Sequence, residues 1–279
     1  MPIVGSNRKS LLPSNIAQWA GWFPLPCLAW SPKLRRVVDQ SRRAILELVL
    51  PPRCVWCSME SADFPPEILL CADCQKLLAG AETSRCPRCG SAVSSAGPQA
   101  CADCQGRELR FDGVLPLGSY KGDLRECVLK LKRPGHESLA VATAGLLYAR
   151  HAEQLGGAKV DAVLPVPMHW ARRLVRRANN AELLAATLAT RLRAPMLHRA
   201  MRRVRNTRKQ GPMLRTERLQ NVRGAFRLAE DVAVQGKKLL VVDDVLTTGA
   251  TCDEIAKTLK RAGATTVTIA VLARADSAR

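Results

Sequence analysis

Eight cysteines in four C-x-x-C pairs constrain this chain more than any other feature. The pairs are Cys54/Cys57, Cys71/Cys74, Cys86/Cys89 and Cys101/Cys104, separated by 13, 11 and 11 residues. A C-x-x-C turn points two sulfurs at one centre, and two such turns complete the tetrahedral four-thiolate site that suits Zn²⁺. Four turns make two sites with nothing left over. The stretch that carries them, 51–110, is short, rich in turn residues and poor in large aliphatics, so apolar burial cannot hold it. Two structural Zn²⁺ sites, each supplying on the order of 10–16 kcal/mol to folding, take the place of that core. Four thiolates close each coordination shell and leave no open position for chemistry. Sequential pairing of the turns closes the shortest loops, and interleaved pairing is the alternative. A redox C-x-x-C does not come in series, and iron–sulfur clusters use other spacings.

Charge is distributed just as unevenly. The chain carries a formal +19 over 279 residues, and residues 170–227 alone hold 16 Lys/Arg against two acids. A local field of that kind recruits phosphates, on a nucleotide or along nucleic acid. The cysteine module is slightly acidic, and thiolates around Zn²⁺ make it more so, which favours a structural or protein-contact role for it over DNA binding. Residues 1–50 form an N-terminal extension with helical apolar spacing over 33–50, ended by Pro51-Pro52. No apolar run approaches the roughly 18–20 residues of a membrane span. Pro24 and Pro26 interrupt the candidate apolar segment, and no signal-peptide pattern is evident. With Cys27, Cys127 and Cys252 left single, a cytoplasmic protein without membrane insertion is expected.

From residue 111 to 279 strands and helices alternate. Apolar patterning predicts strands over 111–120, 160–167, 196–203, 237–243 and 265–272. It predicts helices over 123–132, 138–154, 180–192 and 251–262. The fold class is therefore α/β, a mostly parallel sheet with flanking helices, preceded by the small cysteine module. Ligands of such sheets sit at the carboxyl ends of the strands.

The segment VVDDVLTTGAT, residues 241–251, falls at such an end. Thr247, Thr248, Gly249, Ala250 and Thr251 form a tight turn opening a helix, where backbone N–H groups and three hydroxyls make a monophosphate cradle. Asp243 and Asp244 precede it. Two carboxylates beside a phosphate repel it unless they accept hydrogen bonds from hydroxyls or face Mg²⁺. A ribose 5-phosphate meets both needs, with its phosphate in the turn and its 2′- and 3′-hydroxyls on the acids. A helix cap explains one Asp or Thr251, not the whole string.

This string resembles the phosphoribosyl pyrophosphate (PRPP) motif of type I phosphoribosyltransferases. The resemblance implies that Asp243 and Asp244 form the ribose-hydroxyl pair, the catalytic acids of the family, and that Thr247–Thr251 hold the 5′-phosphate, with Mg²⁺ accompanying PRPP. Further matches narrow it: Pro165-Val166-Pro167, then Arg203-Val204-Arg205 with Thr207 and Gln210, then Arg218, Asn221, Val222, Ala225 and Phe226. Together with the four cysteine turns, over roughly 51–272, the chain resembles the ComF/GntX family, a double zinc ribbon plus a phosphoribosyltransferase-like domain. Arg172, Arg173, Arg176 and Arg177 follow the 160–167 strand, where the resemblance implies pyrophosphate binding. Here Arg176-Arg177-Ala178-Asn179-Asn180 stands where the family has R-G-F-N-Q, losing the glycine, the aromatic and the glutamine. The 202–218 segment is expected to close over substrate. Of the four histidines only His169 lies beside the pyrophosphate loop.

Two classes of function follow. One is an enzyme, a phosphoribosyltransferase moving phosphoribose from PRPP to an acceptor, with the competence and DNA-uptake association of its family. The other is a protein without turnover, sensing PRPP or associating with single-stranded DNA or DNA-processing proteins. The altered 176–180 segment leans toward the second class. No aromatic residue lies between Trp170 and Phe226 to stack bases, so DNA binding there would be electrostatic.

Overall fold

The computed structural model describes residues 53–60, 69–81, 83–93, 101–168, 180–205 and 215–275. All of them fall in the unit Pro51–Arg279. The helix expected over 33–50, His169 and the four arginines 172, 173, 176 and 177 lie outside the described residues.

Two cysteine knuckles repeat one design. Arg53 bridges to Glu60 and Arg85 to Ala92, and within each bridge the first cysteine's carbonyl accepts from the residue four positions on (Ser58 N to Cys54 O, Gly90 N to Cys86 O, both 2.8 Å). Ser58 and Gly90 both take the left-handed conformation, φ 64° and 74°. Only the second site demands glycine, because a Cβ there would lie 2.8 Å from Val114 Cγ1. The first ribbon continues into helix α1 (Ala72–Ala79), whose N-cap is Cys71. The turn-rich composition concealed that helix.

The body of the unit is a four-stranded parallel sheet. Its strands are β1 (Gly113–Ser119), β2 (Ala162–Pro165), β5 (Lys238–Leu246) and β6 (Thr266–Arg274), in the order β1-β6-β5-β2. A separate antiparallel pair joins β3 (Met201–Arg203) to β4 (Phe226–Leu228). Strand β5, KLLVVDDVL, is apolar on both sides because both faces of a parallel sheet are covered. Leu240 and Val242 enter one core cluster, Leu239 and Val241 the other.

Helices α2 (Gly122–Leu131), α3 (Glu137–Arg150) and α5 (Asn180–Leu192) cover the first face. Cys54, Leu70, Cys74 and Leu78 of the first ribbon share that core. Lys130 lies 4.0 Å from the Trp56 ring centroid, a cation–π contact that ties the ribbon to α2. On the second face lies α7 (Ala250–Arg261), whose buried Cys252, Ile255, Ala256 and Leu259 form one apolar stripe at helical spacing. Helix α6 (Arg215–Val222) precedes β4.

Two expectations need correcting. The single helix expected over 138–154 is broken at His151 into α3 and α4 (Ala152–Ala158). The His151 ring nitrogens lie 2.9 Å from the Pro116 carbonyl oxygen of β1 and 2.7 Å from Gln154 Oε1, which turns the chain there. The single strand expected over 196–203 is split. Met196 makes one parallel bridge to Val163 of β2, and only 201–203 pair with β4.

Candidate functional site

The two clusters of four cysteines are assembled in sequence order, Cys54, Cys57, Cys71, Cys74 and Cys86, Cys89, Cys101, Cys104, with the sulfurs of each set within 4.8 Å of one another. Sulfur–sulfur separations include 3.8 Å for Cys57–Cys71, 3.7 Å for Cys86–Cys104 and 3.5 Å for Cys89–Cys101. A disulfide would need about 2.05 Å. Four sulfurs at about 2.3 Å from a shared Zn²⁺ lie about 3.8 Å apart when tetrahedral, so the donor sets fit structural zinc. The interleaved alternative is excluded.

The remaining described cysteines are packed rather than reactive. Burial pushes the Cys127 thiol up to about 12. Burial, then Asp243, Asp253 and Asp244, pushes the Cys252 thiol well above its ordinary range.

At the carboxyl end of the sheet, β5 runs longer than its neighbour. β2 stops at Pro165 opposite Val242, whereas β5 continues to Leu246 alongside β6. The strand expected over 237–243 thus runs on to Leu246, so that both Asp243 and Asp244 lie within it, on a length of β5 that β2 does not pair with. Asp244 N–H donates to Asp243 Oδ1 at 2.9 Å. Burial and then the adjacent Asp244 raise the Asp243 carboxyl well above the usual carboxylate range, so this group holds a proton more readily than an exposed acid.

Thr247, Thr248 and Gly249 make the turn, and Ala250 and Thr251 begin α7. Gly249 sits at the N-cap with φ 81°, a conformation open to glycine. Among the described residues the N–H groups of Thr248 and Gly249 have no backbone partner. Asp243, Thr247, Gly249, Thr251 and Arg218 line one cavity of about 290 Å³. Arg218, on α6, is the charged member that was not assigned to the site from the sequence. Its match to the family beside Asn221 and Val222 was the available signal. A second cavity of about 360 Å³ lies off the end of β2, lined among others by Pro167, Glu182, Arg199 and Arg202.

Asp243, a glycine turn at a helix start and the basic side chain of Arg218 thus surround one cavity at the carboxyl end of β5. Comparison with known proteins gives the class of protein that carries it. The family model described as Double zinc ribbon domain matches residues 45–105, and that described as Phosphoribosyl transferase domain matches residues 137–279. Competence protein F of Haemophilus influenzae is 32% identical over 210 residues, covering 74% of this chain and 90% of that protein. DNA utilization protein YhgH of Escherichia coli O6:H1 is 33% identical over the same shares of the two chains. The chain therefore belongs to the phosphoribosyltransferase-domain family that includes Competence protein F and YhgH. The purine phosphoribosyltransferase of Pyrococcus horikoshii Ot3 is 22% identical over 50% of this chain and 77% of that one, at a TM-score of 0.31 too low to carry weight. Among the described residues no helix is long and apolar enough to cross a membrane.

Proposed function

We propose that the chain binds PRPP at the carboxyl end of β5, and that it serves in the handling of DNA, the role that the names of its relatives carry. The observation behind this reading is the shared cavity of Asp243, Thr247, Gly249 and Arg218. In it the turn over 247–251 takes the 5′-phosphate on backbone N–H groups and hydroxyls. Asp243 and Asp244 accept hydrogen bonds from the ribose 2′- and 3′-hydroxyls, and Arg218 adds positive charge. Arg172, Arg173, Arg176 and Arg177 are assigned to the pyrophosphate. Mg²⁺, arriving with PRPP, offsets the pyrophosphate charge. In phosphoribosyl transfer the bond from C1 to pyrophosphate breaks as an acceptor atom bonds to C1, and pyrophosphate leaves with the electron pair. The domain limits that go with this reading are an extension over 1–50, the zinc module over 51–110 and the phosphoribosyltransferase-like domain over 111–279, in a cytoplasmic protein.

Calorimetric titration with PRPP, with and without Mg²⁺, tests it. Mg²⁺-dependent binding supports the donor site. No heat at millimolar PRPP removes it.

One observation favours a second, polyanion-binding surface. Arg202 and Arg227 stand directly opposite each other across the β3–β4 pair, and both are exposed. Like charges so placed are destabilising, and a single-stranded DNA backbone would relieve the repulsion. Affinity for such DNA should fall steeply with salt.

A further inference from the structure

Two arginines join the second four-cysteine centre to the turn after β5. Arg107 Nη1 donates to the Asp103 carbonyl oxygen, between Cys101 and Cys104, at 3.2 Å, while its Nη2 donates to the Thr248 carbonyl oxygen at 2.6 Å. Arg274, 3% exposed at the end of β6, donates from Nε to the Cys89 carbonyl oxygen at 3.0 Å. From Nη1 it donates to the carbonyl oxygens of Leu246 at 3.2 Å and Thr247 at 2.5 Å. Each knuckle of the second centre thus reaches one of two consecutive carbonyls in the turn.

The consequence is directional. In a trans peptide the C=O of one residue and the N–H of the next point opposite ways, and the described residues contain no cis bond. Holding Thr247 C=O and Thr248 C=O on the arginines therefore turns the N–H groups of Thr248 and Gly249 away from the ribbon, to the side where an anion would be bound. A third tie follows. Arg110 N–H donates to Asp253 Oδ1 at 2.6 Å, and Asp253 N–H donates to the Gly249 carbonyl oxygen at 2.8 Å.

We propose that Arg107 and Arg274 are positioning residues through which the second zinc centre, and not the first, holds the 247–249 turn in its anion-binding shape. The first centre is rooted elsewhere, in the core shared with α2 and α3. The second packs on a smaller apolar cluster, Cys86, Cys89, Cys101, Cys104, Val93 and Leu109, of which Leu109 also touches the core of the second face. With so small a cluster, four thiolates on one Zn²⁺ would supply much of the order of its knuckles, and through them fix the far ends of Arg107 and Arg274. The proposal takes the role of the turn from the PRPP reading above, so its test has a readout that needs no ligand.

Amide hydrogen exchange over 247–256 is measured in the full chain beside zinc content. Arg107→Ala should speed exchange at Asp253 severalfold with two zinc ions retained, and weaken PRPP binding about tenfold, as for loss of a charge-assisted hydrogen bond. Arg107→Lys should recover part of the loss, since an ammonium reaches one carbonyl but cannot fork to both. Cys104→Ser should lose one zinc ion and speed the same amides. Cys57→Ser should lose one zinc ion and speed exchange over 54–79 instead. Unchanged exchange in Arg107→Ala overturns the proposal, and so does equal loosening of the turn by Cys57→Ser. If the parent protein binds no PRPP, the ligand reading falls while the exchange data still decide the linkage.

Discussion

Arg205 donates from Nη2 to the carbonyl oxygen of Arg223 at 2.6 Å, and to that of Asn221 at 3.2 Å. Its charge sits on the carboxyl end of α6, where helix carbonyls lack partners and the helix dipole favours a cation. This member of the basic segment is thus committed to structure. Arg205→Ala should lower stability by about 1 kcal/mol, read as a shift in the denaturation midpoint with the slope unchanged.

The acid pair gives the most direct test of the ribose site. Asp243→Asn with Asp244→Asn should abolish PRPP binding while the protein stays folded. Calorimetry and circular dichroism on the same sample check both halves of the expectation. Unaltered affinity would remove the assignment of these residues.

Burial and Asp244 raise the Asp243 carboxyl, and the sign of two pH effects follows. A protonated Asp243 accepts fewer hydrogen bonds from ribose, so PRPP affinity should rise as pH climbs through the raised pKa. Stability runs the other way. A carboxyl with a folded pKa above its unfolded value binds its proton more tightly when native, so its contribution is fullest below the unfolded pKa, about 3.9, and is lost as pH rises through the folded one. Asp243→Asn should therefore stabilise the free protein at pH 8, by about 1 kcal/mol as at other strained functional sites. Thermal melts from pH 5 to 9 would show the gap between parent and variant widening with pH.

Two glycines separate space from conformation. At Gly249 a Cβ would meet the Phe111 ring at an ordinary 3.7 Å, so Gly249→Ala costs only the left-handed backbone, about 1–2 kcal/mol. At Gly90 the Cβ would also crowd Val114 at 2.8 Å, which adds about 1–3 kcal/mol of overpacking. Gly90→Ala should lower the melting temperature more than Gly249→Ala. It should also shed zinc from the second centre at lower chelator concentration.

Relieving the repulsion between Arg202 and Arg227 should have opposite effects on stability and binding. Arg227→Thr should stabilise the β3–β4 pair by about 0.5 kcal/mol. It should weaken single-stranded DNA binding and reduce the salt slope by about one, as fluorescence titrations over a range of salt would measure. A tighter complex would count against a polyanion on that face.

The parts of this molecule that were legible in advance are those written locally. The cysteine spacings set both four-cysteine clusters, and the 241–251 string marked the turn and its acids. The alternation of apolar segments gave the parallel sheet. What escaped depends on partners far away in the chain. The length of β5 beyond Val242 is set by pairing with β6, so no local pattern told whether Asp243 ended the strand or continued it. The break at His151 is made by the Pro116 carbonyl on another strand. Nothing local in the sequence singles out Arg107 or Arg274, which the fold brings to the Thr248 and Thr247 carbonyls.

The order of the sheet also sets a timetable for making the protein. β6 lies between β1 and β5, and Asp112, at the start of β1, receives the Val267 amide 155 residues further along. At roughly 5–20 residues per second of translation, β1 waits about 8–30 s on the ribosome for the strand it pairs with. All eight cysteines have been synthesised before that wait begins. Metal can therefore load while the sheet is still open, and a nascent chain starved of zinc would meet its last strand with the ribbons unformed and an unpaired edge exposed to aggregation.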